Sequence, residues 1–158
     1  MSIQEWRALI DDVSRFSPKP LILLTWTEPF MYPGILKIIE TVVEKKCSLH
    51  ITTNGTLLTR HARSLVELCQ SSSGVDMTVS LDDIGEAHDR IRGVPGTFDR
   101  ALEGIKAVAS LRKELKTPFP LINITCTISS CNHERLESFA DWFIKENISI
   151  ESITFNHL

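Results

Sequence analysis

A chain of 158 residues, 42% hydrophobic and 23% charged, has the make-up of a globular domain able to bury a real core, so one domain spanning 1–158 is expected. The formal net charge of -3, with acidic and basic residues mixed along the chain, carries no electrostatic footprint for nucleic acid or an anionic membrane, and neither partner is expected. No apolar run approaches the roughly 20 residues that span a bilayer, and the opening MSIQEWRALIDDV is patterned as an amphipathic helix containing acids, so a cytoplasmic protein is expected.

The elements alternate. Ser2 and Glu5 form a capping box ahead of Ile3, Trp6, Leu9, Ile10, Val13 and Phe16, which share one helical face. After a break at Ser17 to Pro20, Leu21 to Leu24 is a short continuous apolar run of the kind expected in a strand buried on both faces. A polar stretch, Thr25 to Pro29, separates it from a helix with Pro33 in its first turn and Ile35, Leu36, Ile38, Ile39, Val42 and Val43 on its apolar stripe. A second strand is expected around Ser48 to Thr52. Thr59 then caps a helix carrying Ala62, Leu65, Val66, Leu68 and Cys69, which Gly74 stops before a third strand at Met77 to Leu81. Thr97 begins the longest helix, with Phe98, Ala101, Leu102, Ile105, Val108 and Leu111 at helical spacing and Pro118 and Pro120 beyond its end. Leu121 to Ile128 alternates as a fourth strand. Asn132 caps a last helix bearing Leu136, Phe139, Ala140, Phe143 and Ile144, and Ile150 to Phe155 forms a fifth strand.

Strands joined by helical crossovers belong to an α/β fold with a parallel sheet, either an open doubly wound sheet or part of a (β/α) barrel, and periodicity does not choose between them. Both bind ligands at the carboxyl ends of the strands. The segments there are Trp26-Thr27-Glu28-Pro29, Thr52-Thr53-Asn54-Gly55, Ser80-Leu81-Asp82-Asp83, and Thr127 with Ser129, and all are polar apart from single apolar members. Singly, each has a plain structural reading: Asn54-Gly55 is a common turn pair, Ser and Asp cap crossover helices, and Glu28-Pro29 suits a solvated bend. The four cysteines, Cys47, Cys69, Cys126 and Cys131, lack CxxC and CxxxCxxC spacing and are expected to be buried or incidental thiols. His50, His61, His133 and His157 show no metal spacing. His88 and Asp89 are neighbours and so face different ways, which suits a capping or orienting role better than an acid–base pair.

In joint order, LTWTEPFMYPGI, ITTNGTLLT, VSLDDIGEAHDRIRGVPGTFDRALEGI and INITCTIS resemble successive strand–loop motifs of the radical S-adenosylmethionine (radical SAM) superfamily, over nearly the whole chain. The most specific piece, His88 to Gly93 followed by Gly96-Thr97-Phe98, resembles the branch that includes peptide-modifying maturases with a downstream auxiliary-cluster domain. The resemblance implies an incomplete (β/α) barrel of about five parallel strands with covering helices, lacking the first, cluster-bearing strand. It implies SAM as cofactor, with a 4Fe-4S cluster held in the parent protein by three cysteines of a CxxxCxxC loop. In such enzymes one electron cleaves SAM, and the resulting 5′-deoxyadenosyl radical abstracts hydrogen from the substrate, a peptide by the resemblance to that branch. Residue by residue, Thr27, Glu28 and Pro29 match the segment receiving the SAM amino group, largely through backbone. Ser80 matches a ribose-side contact with Asp82 beside it, Thr53 and Asn54 match a turn approaching the ligand, and Arg92 matches the basic residue on the SAM carboxylate, its plain structural reading being a surface arginine on a crossover loop.

Two departures stand out. No CxxxCxxC is present, so the cluster ligands are absent and these 158 residues alone are not expected to cleave SAM. Trp26-Thr27 replaces the family's Gly-Gly before Glu-Pro, and an inward Trp would crowd the methionine end of SAM. Two readings follow: a portion of a radical SAM enzyme core, or a degenerate non-catalytic SAM-binding or scaffolding relative. Unpaired sheet edges also lead to an expectation of self-association.

Overall fold

Period-2 alternation sorts the middle strands into two unlike faces, and the architecture follows from where each face goes. The computed structural model describes residues 1–25, 27–72 and 74–157. Its strands are β1 (Leu21–Leu24), β2 (Ser48–Thr53), β3 (Val75–Ser80), β4 (Leu121–Ile128) and β5 (Ser152–His157). The α-helices are α1 (Ile3–Val13), α2 (Ile35–Glu44), α3 (Leu58–Cys69), α4 (Glu86–Arg92), α5 (Thr97–Glu114) and α6 (Leu136–Lys145), with short 3-10 turns at Pro29–Met31 and His133–Arg135.

All four strand pairings are parallel, and the order is β1-β2-β3-β4-β5. Because the order never reverses, there is no switch point of the doubly wound kind, and right-handed crossovers carry successive helices to the same face. The fold is therefore an incomplete (β/α) barrel, and its sheet is not closed: among the described residues β1 pairs only with β2, and β5 only with β4. Leu49, Ile51, Val75, Met77, Val79, Ile122, Ile124 and Cys126 point into the helical layer and are buried. Each large apolar side chain buried there contributes about 1.5–3 kcal/mol. The intervening His50, Thr52, Asp76, Thr78, Ser80, Asn123 and Thr125 are only half-buried and line the opposite, polar face. On that face His50 Nδ1 pairs with Asp76, and Thr52 Oγ1 lies 3.2 Å from His50 Nε2.

The capping box of α1 forms, with the Ser2 N–H donating to Glu5 at 2.6 Å and the Glu5 N–H to Ser2 Oγ at 3.3 Å. Helices α3 and α5 approach closely because Gly104 has no side chain: a Cβ there would lie 2.6 Å from Leu58 Cβ and 3.0 Å from the Gly55 carbonyl.

Several expectations need correction. Leu21 and Leu23 are 53% and 58% exposed, so β1 is not buried on both faces; like β2 to β4 it buries the side turned to the helices, and Leu21 and Leu23 lie on the opposite face beside Ser48 and His50. Leu9, Phe16 and Ile144 are exposed as well. Helix α3 starts before Thr59, on Leu57 with no side-chain cap, and ends at Cys69 on Gln70, well ahead of Gly74. Helix α2 starts after Gly34, so Pro33 precedes its first turn. Asn132 caps neither the 3-10 turn nor α6, because its side chain is drawn inward to other partners. Strand β3 opens at Val75 and ends at Ser80, and β5 opens at Ser152. Arg92 stands in the last turn of α4 and not on a crossover loop.

Asp89, on α4, supplies the cap that the N-terminus of α5 lacks. Its carboxylate accepts from the Phe98 N–H at 2.9 Å, from Thr97 Oγ1 at 2.7 Å and from the Gly96 N–H. These bonds hold its pKa down to about 2. A depressed carboxylate pKa contributes stability that is present above the unfolded value, about 3.9, and is lost as pH falls through about 2. Asp89→Asn is therefore expected to lower Tm at neutral pH. In thermal melts the gap to the unsubstituted protein narrows below about pH 4. A gap independent of pH would contradict this assignment.

Candidate cofactor site at the strand carboxyl ends

The loop after β1 is tied to the loop after β2 by one side chain. Glu28 accepts from the Phe30 N–H at 3.2 Å, starting the 3-10 turn, and from Thr53 Oγ1 at 2.7 Å through the same oxygen; its other oxygen accepts from the Asn54 N–H at 2.7 Å. Thr53 Oγ1 in turn accepts from the Gly55 N–H at 3.0 Å, and Asn54 Oδ1 accepts from the N–H and hydroxyl of Thr56 at 2.9 and 2.7 Å. Gly55 has a φ of +79°, which an L side chain rarely adopts. The Asn-Gly pair is thus a true turn, and it belongs to a built junction. Thr53 and Pro29 are buried, while Thr27 and Asn54 are exposed at the rim. Trp26 lies outside the described residues.

A second junction centres on Asp82, just past β3 and 5% exposed. Its carboxylate accepts from the Thr127 N–H at 3.0 Å at the end of β4 and pairs with Arg92 Nε at 2.8 Å. Its carbonyl accepts from Asn132 Nδ2 at 2.7 Å, and its N–H donates to His88 Nδ1 at 3.1 Å. His88 therefore orients the loop, with its neighbour Asp89 turned to α5. Burial first, then the positive charge of Arg92, lowers the His88 pKa and keeps the imidazole neutral, as an Nδ1 acceptor requires. Asp83 is buried beside this junction and pairs with Arg135, including a bond from Nε at 2.9 Å. Ser80 is half-buried at the end of β3.

Glu28, Thr53 and Asn54 are therefore brought together, as are Asp82 and Arg92. Three features escaped sequence reasoning: the side-chain role of Glu28, Asn132 as an inward donor, and the Asp83–Arg135 pair. Only the Asn in an SSCNHE stretch hints at the second, and a helix cap is its plainer reading.

The cysteines offer little to a metal. Cys47, Cys69 and Cys126 are buried and Cys131 is exposed. Burial pushes the Cys69 thiol up to about 12 and the Cys126 thiol up to about 11, so both stay protonated at neutral pH. Among the described residues no group of three His, Cys, Asp or Glu side chains could hold a metal ion. These residues do not fit an iron–sulfur cluster. Among the described residues no helix is long and apolar enough to cross a membrane.

The family model for the radical SAM superfamily matches residues 1–149. The chain is 41% identical over 106 residues to Fe-coproporphyrin III synthase of Methanosarcina barkeri, covering 66% of this chain and 25% of that protein. It is 31% identical over 137 residues to the AdoMet-dependent heme synthase of the same organism, covering 86% of this chain and 36% of that protein. It thus spans about a quarter to a third of the length of these curated relatives. Its fold matches Streptococcus suis SuiB bound to S-adenosylmethionine at a TM-score of 0.73 and 19% identity, over 99% of this chain and 34% of that one. It also matches anSMEcpe with bound AdoMet at a TM-score of 0.74 and 19% identity, over 99% and 41%. With the family model matching nearly its full length, and with an open parallel sheet whose polar loops gather at the carboxyl ends of the strands, the chain belongs to the radical SAM superfamily.

Proposed function

We propose that this chain is the portion of a radical SAM enzyme core that receives SAM at the carboxyl ends of β1 to β4, with the 4Fe-4S ligands supplied by a part of the parent protein outside these residues. The observation that carries the reading is the convergence there of two cross-linked junctions, Glu28–Thr53–Asn54 and Asp82–Arg92–Thr127, on either side of Ser80. A zwitterionic, hydroxyl-rich ligand fits such a set. The Thr27–Pro29 backbone takes the amino group, Ser80 takes the ribose side and Arg92 takes the carboxylate, while Thr53 and Asn54 hold the turn against the ligand. SAM would supply the radical chemistry of the family with the cluster held elsewhere in the parent protein, and Thr27 to Pro29, Ser80 and Arg92 would bind and orient SAM. Alone, the 158 residues do not cleave SAM.

For the substrate, we favour a tetrapyrrole of the kind named in the curated relatives over a peptide, because those relatives share 41% and 31% identity. The peptide reading is supported by the fold neighbours SuiB with its precursor peptide SuiA and anSMEcpe with the Cp18Cys peptide, each at 19%. The outer edge of β1, which is unpaired among the described residues, supports self-association by edge pairing.

The test is calorimetric titration with S-adenosylhomocysteine. Ser80→Ala is expected to weaken binding about fivefold, the worth of one net hydrogen bond of about 1 kcal/mol. Equal affinity for the two proteins would remove Ser80 from the site, and absence of binding to either would remove the reading.

A further inference from the structure

We propose that His50 and Thr52 form a carboxylate site on the polar face of the sheet, that Asp76 positions the imidazole and stabilises its charged form, and that the ligand is a carboxylate of the substrate. The inference rests on the tetrapyrrole reading above, whose substrate class joins acid side arms to an apolar ring.

Asp76, His50 and Thr52 are linked in that order. Asp76 Oδ1 accepts from His50 Nδ1, and Thr52 Oγ1 lies 3.2 Å from His50 Nε2. A carboxylate at Nδ1 keeps the proton on that nitrogen, so in the neutral ring Nε2 is an acceptor and takes a hydrogen bond from the Thr52 hydroxyl. When Nε2 gains a proton from solvent it becomes a donor, and the hydroxyl, which turns about a single bond, is released to donate elsewhere. Two donors 3.2 Å apart, one of them charged, are then available to one carboxylate, while Asp76 stabilises the imidazolium from the other side of the ring.

His50 stands between Leu23 of β1 and Asp76 of β3. The His50 and Asp76 side chains are 24% and 33% exposed, so a ligand can reach them. From β1 no charged group faces the ring, and from β3 only Asp76 does; among the described strand residues of this face, His50 and Asp76 are the only ionisable ones. The rest of the face is divided. Leu21 and Leu23, both more than half exposed, form an apolar margin on one side of His50, and Thr78, Asn123 and Thr125 are uncharged polar groups on the other. An apolar ring over the two leucines with an acid arm on His50 and Thr52 matches this division. Asp76 precedes Ser80 by four residues of β3, about 13 Å at about 3.3 Å per residue, so the anchored arm lies well away from the proposed SAM position and a large substrate bridges the two.

The experiment titrates coproporphyrin III, which carries carboxylates on short arms, and its fully esterified form, which carries none, into the protein at its full encoded length. Both are followed by fluorescence in the same dilute detergent between about pH 6 and about pH 8.5, where carboxylates stay ionised and an ordinary imidazole titrates. Circular dichroism and S-adenosylhomocysteine binding check each variant. The unsubstituted protein is expected to lose about tenfold in affinity for the acid as pH rises through this range, with no such loss for the ester. His50→Gln is expected to be about tenfold weaker for the acid at the low end of the range and to lose the pH dependence, and Thr52→Val about fivefold weaker. Asp76→Asn keeps an acceptor for Nδ1 but removes the charge that favours imidazolium, so the fall in affinity moves to lower pH, a shift that a merely structural role does not produce. If coproporphyrin III binds equally to His50→Gln, the carboxylate site falls while the tetrapyrrole reading stands. If His50→Gln weakens the ester as much as the acid, His50 only shapes the face and the proposal falls. An affinity of the unsubstituted protein that does not change with pH would overturn it as well. If S-adenosylhomocysteine binds and neither porphyrin does, the tetrapyrrole reading fails and the proposal with it.

Discussion

Gly55→Ala is expected to destabilise the protein by about 3 kcal/mol, the sum of a left-handed backbone forced on an L residue and an overpacked contact. The φ at Gly55 is +79°, and an added Cβ would lie 2.8 Å from Val79 Cγ1 and 2.9 Å from Ala101 Cβ. Neither neighbour can give way cheaply, because Val79 is in the middle of the sheet and Ala101 is on α5, whose backbone lies 3.2 Å from the same point. For a domain of this size the loss corresponds to a fall in Tm of about 10 °C. Thermal unfolding followed by circular dichroism measures it, and a Tm within 2 or so degrees of the unsubstituted protein, about half a kcal/mol, would show that the turn is not held as described.

Glu28→Ala is the second large effect, and it reaches the site directly. The substitution leaves the Thr53 hydroxyl, 2% exposed, and the Asn54 N–H without their acceptor. The buried Thr53 hydroxyl stranded in this way costs about 1–3 kcal/mol while the exposed Asn54 N–H turns to water, so a loss of about 1–3 kcal/mol in urea unfolding is expected. Glu28→Gln keeps one acceptor oxygen but turns a second donor toward the Asn54 or Thr53 donors, and it is expected to recover only part of the loss. The loops after β1 and β2 would also separate, so S-adenosylhomocysteine binding falls with stability. Full stability in Glu28→Ala would mean that the two loops are held by the surrounding packing and not by this carboxylate.

These two residues also illustrate what sequence alone conveys. Strict alternation in SLHITT, VDMTVS and LINITCTI identifies strands and assigns each side chain to a face, because a one-residue slip would expose the whole apolar set. The same reasoning overreaches at LILL: four apolar residues in a row suit burial on both faces, but Leu21 and Leu23 lie on the face turned away from the helices, beside Ser48 and His50. Helix α4 was missed for a physical reason as well. EAHDRIR is seven residues long, has no apolar stripe, and sits between Gly85 and Gly93, so it forms through its partners: His88 with Asp82, Asp89 with α5, and Arg92 with Asp82. Bonds between elements leave no periodicity. For the same reason the resemblance assigns Glu28 a role through its backbone, whereas its carboxylate joins two loops 25 residues apart. The resemblance drew attention to these positions, and only the geometry separates those that brace the site from those that remain to meet a ligand.

The most direct test of a SAM site at the strand carboxyl ends is amide chemical-shift mapping on 15N-labelled protein titrated with S-adenosylhomocysteine. Shifts concentrated at Thr27, Asn54, Ser80 and Arg92, with Ser48 and Gly74 at the opposite ends of the strands unmoved, are the predicted result. Shifts confined to those opposite ends, or none at saturating ligand, would contradict the account.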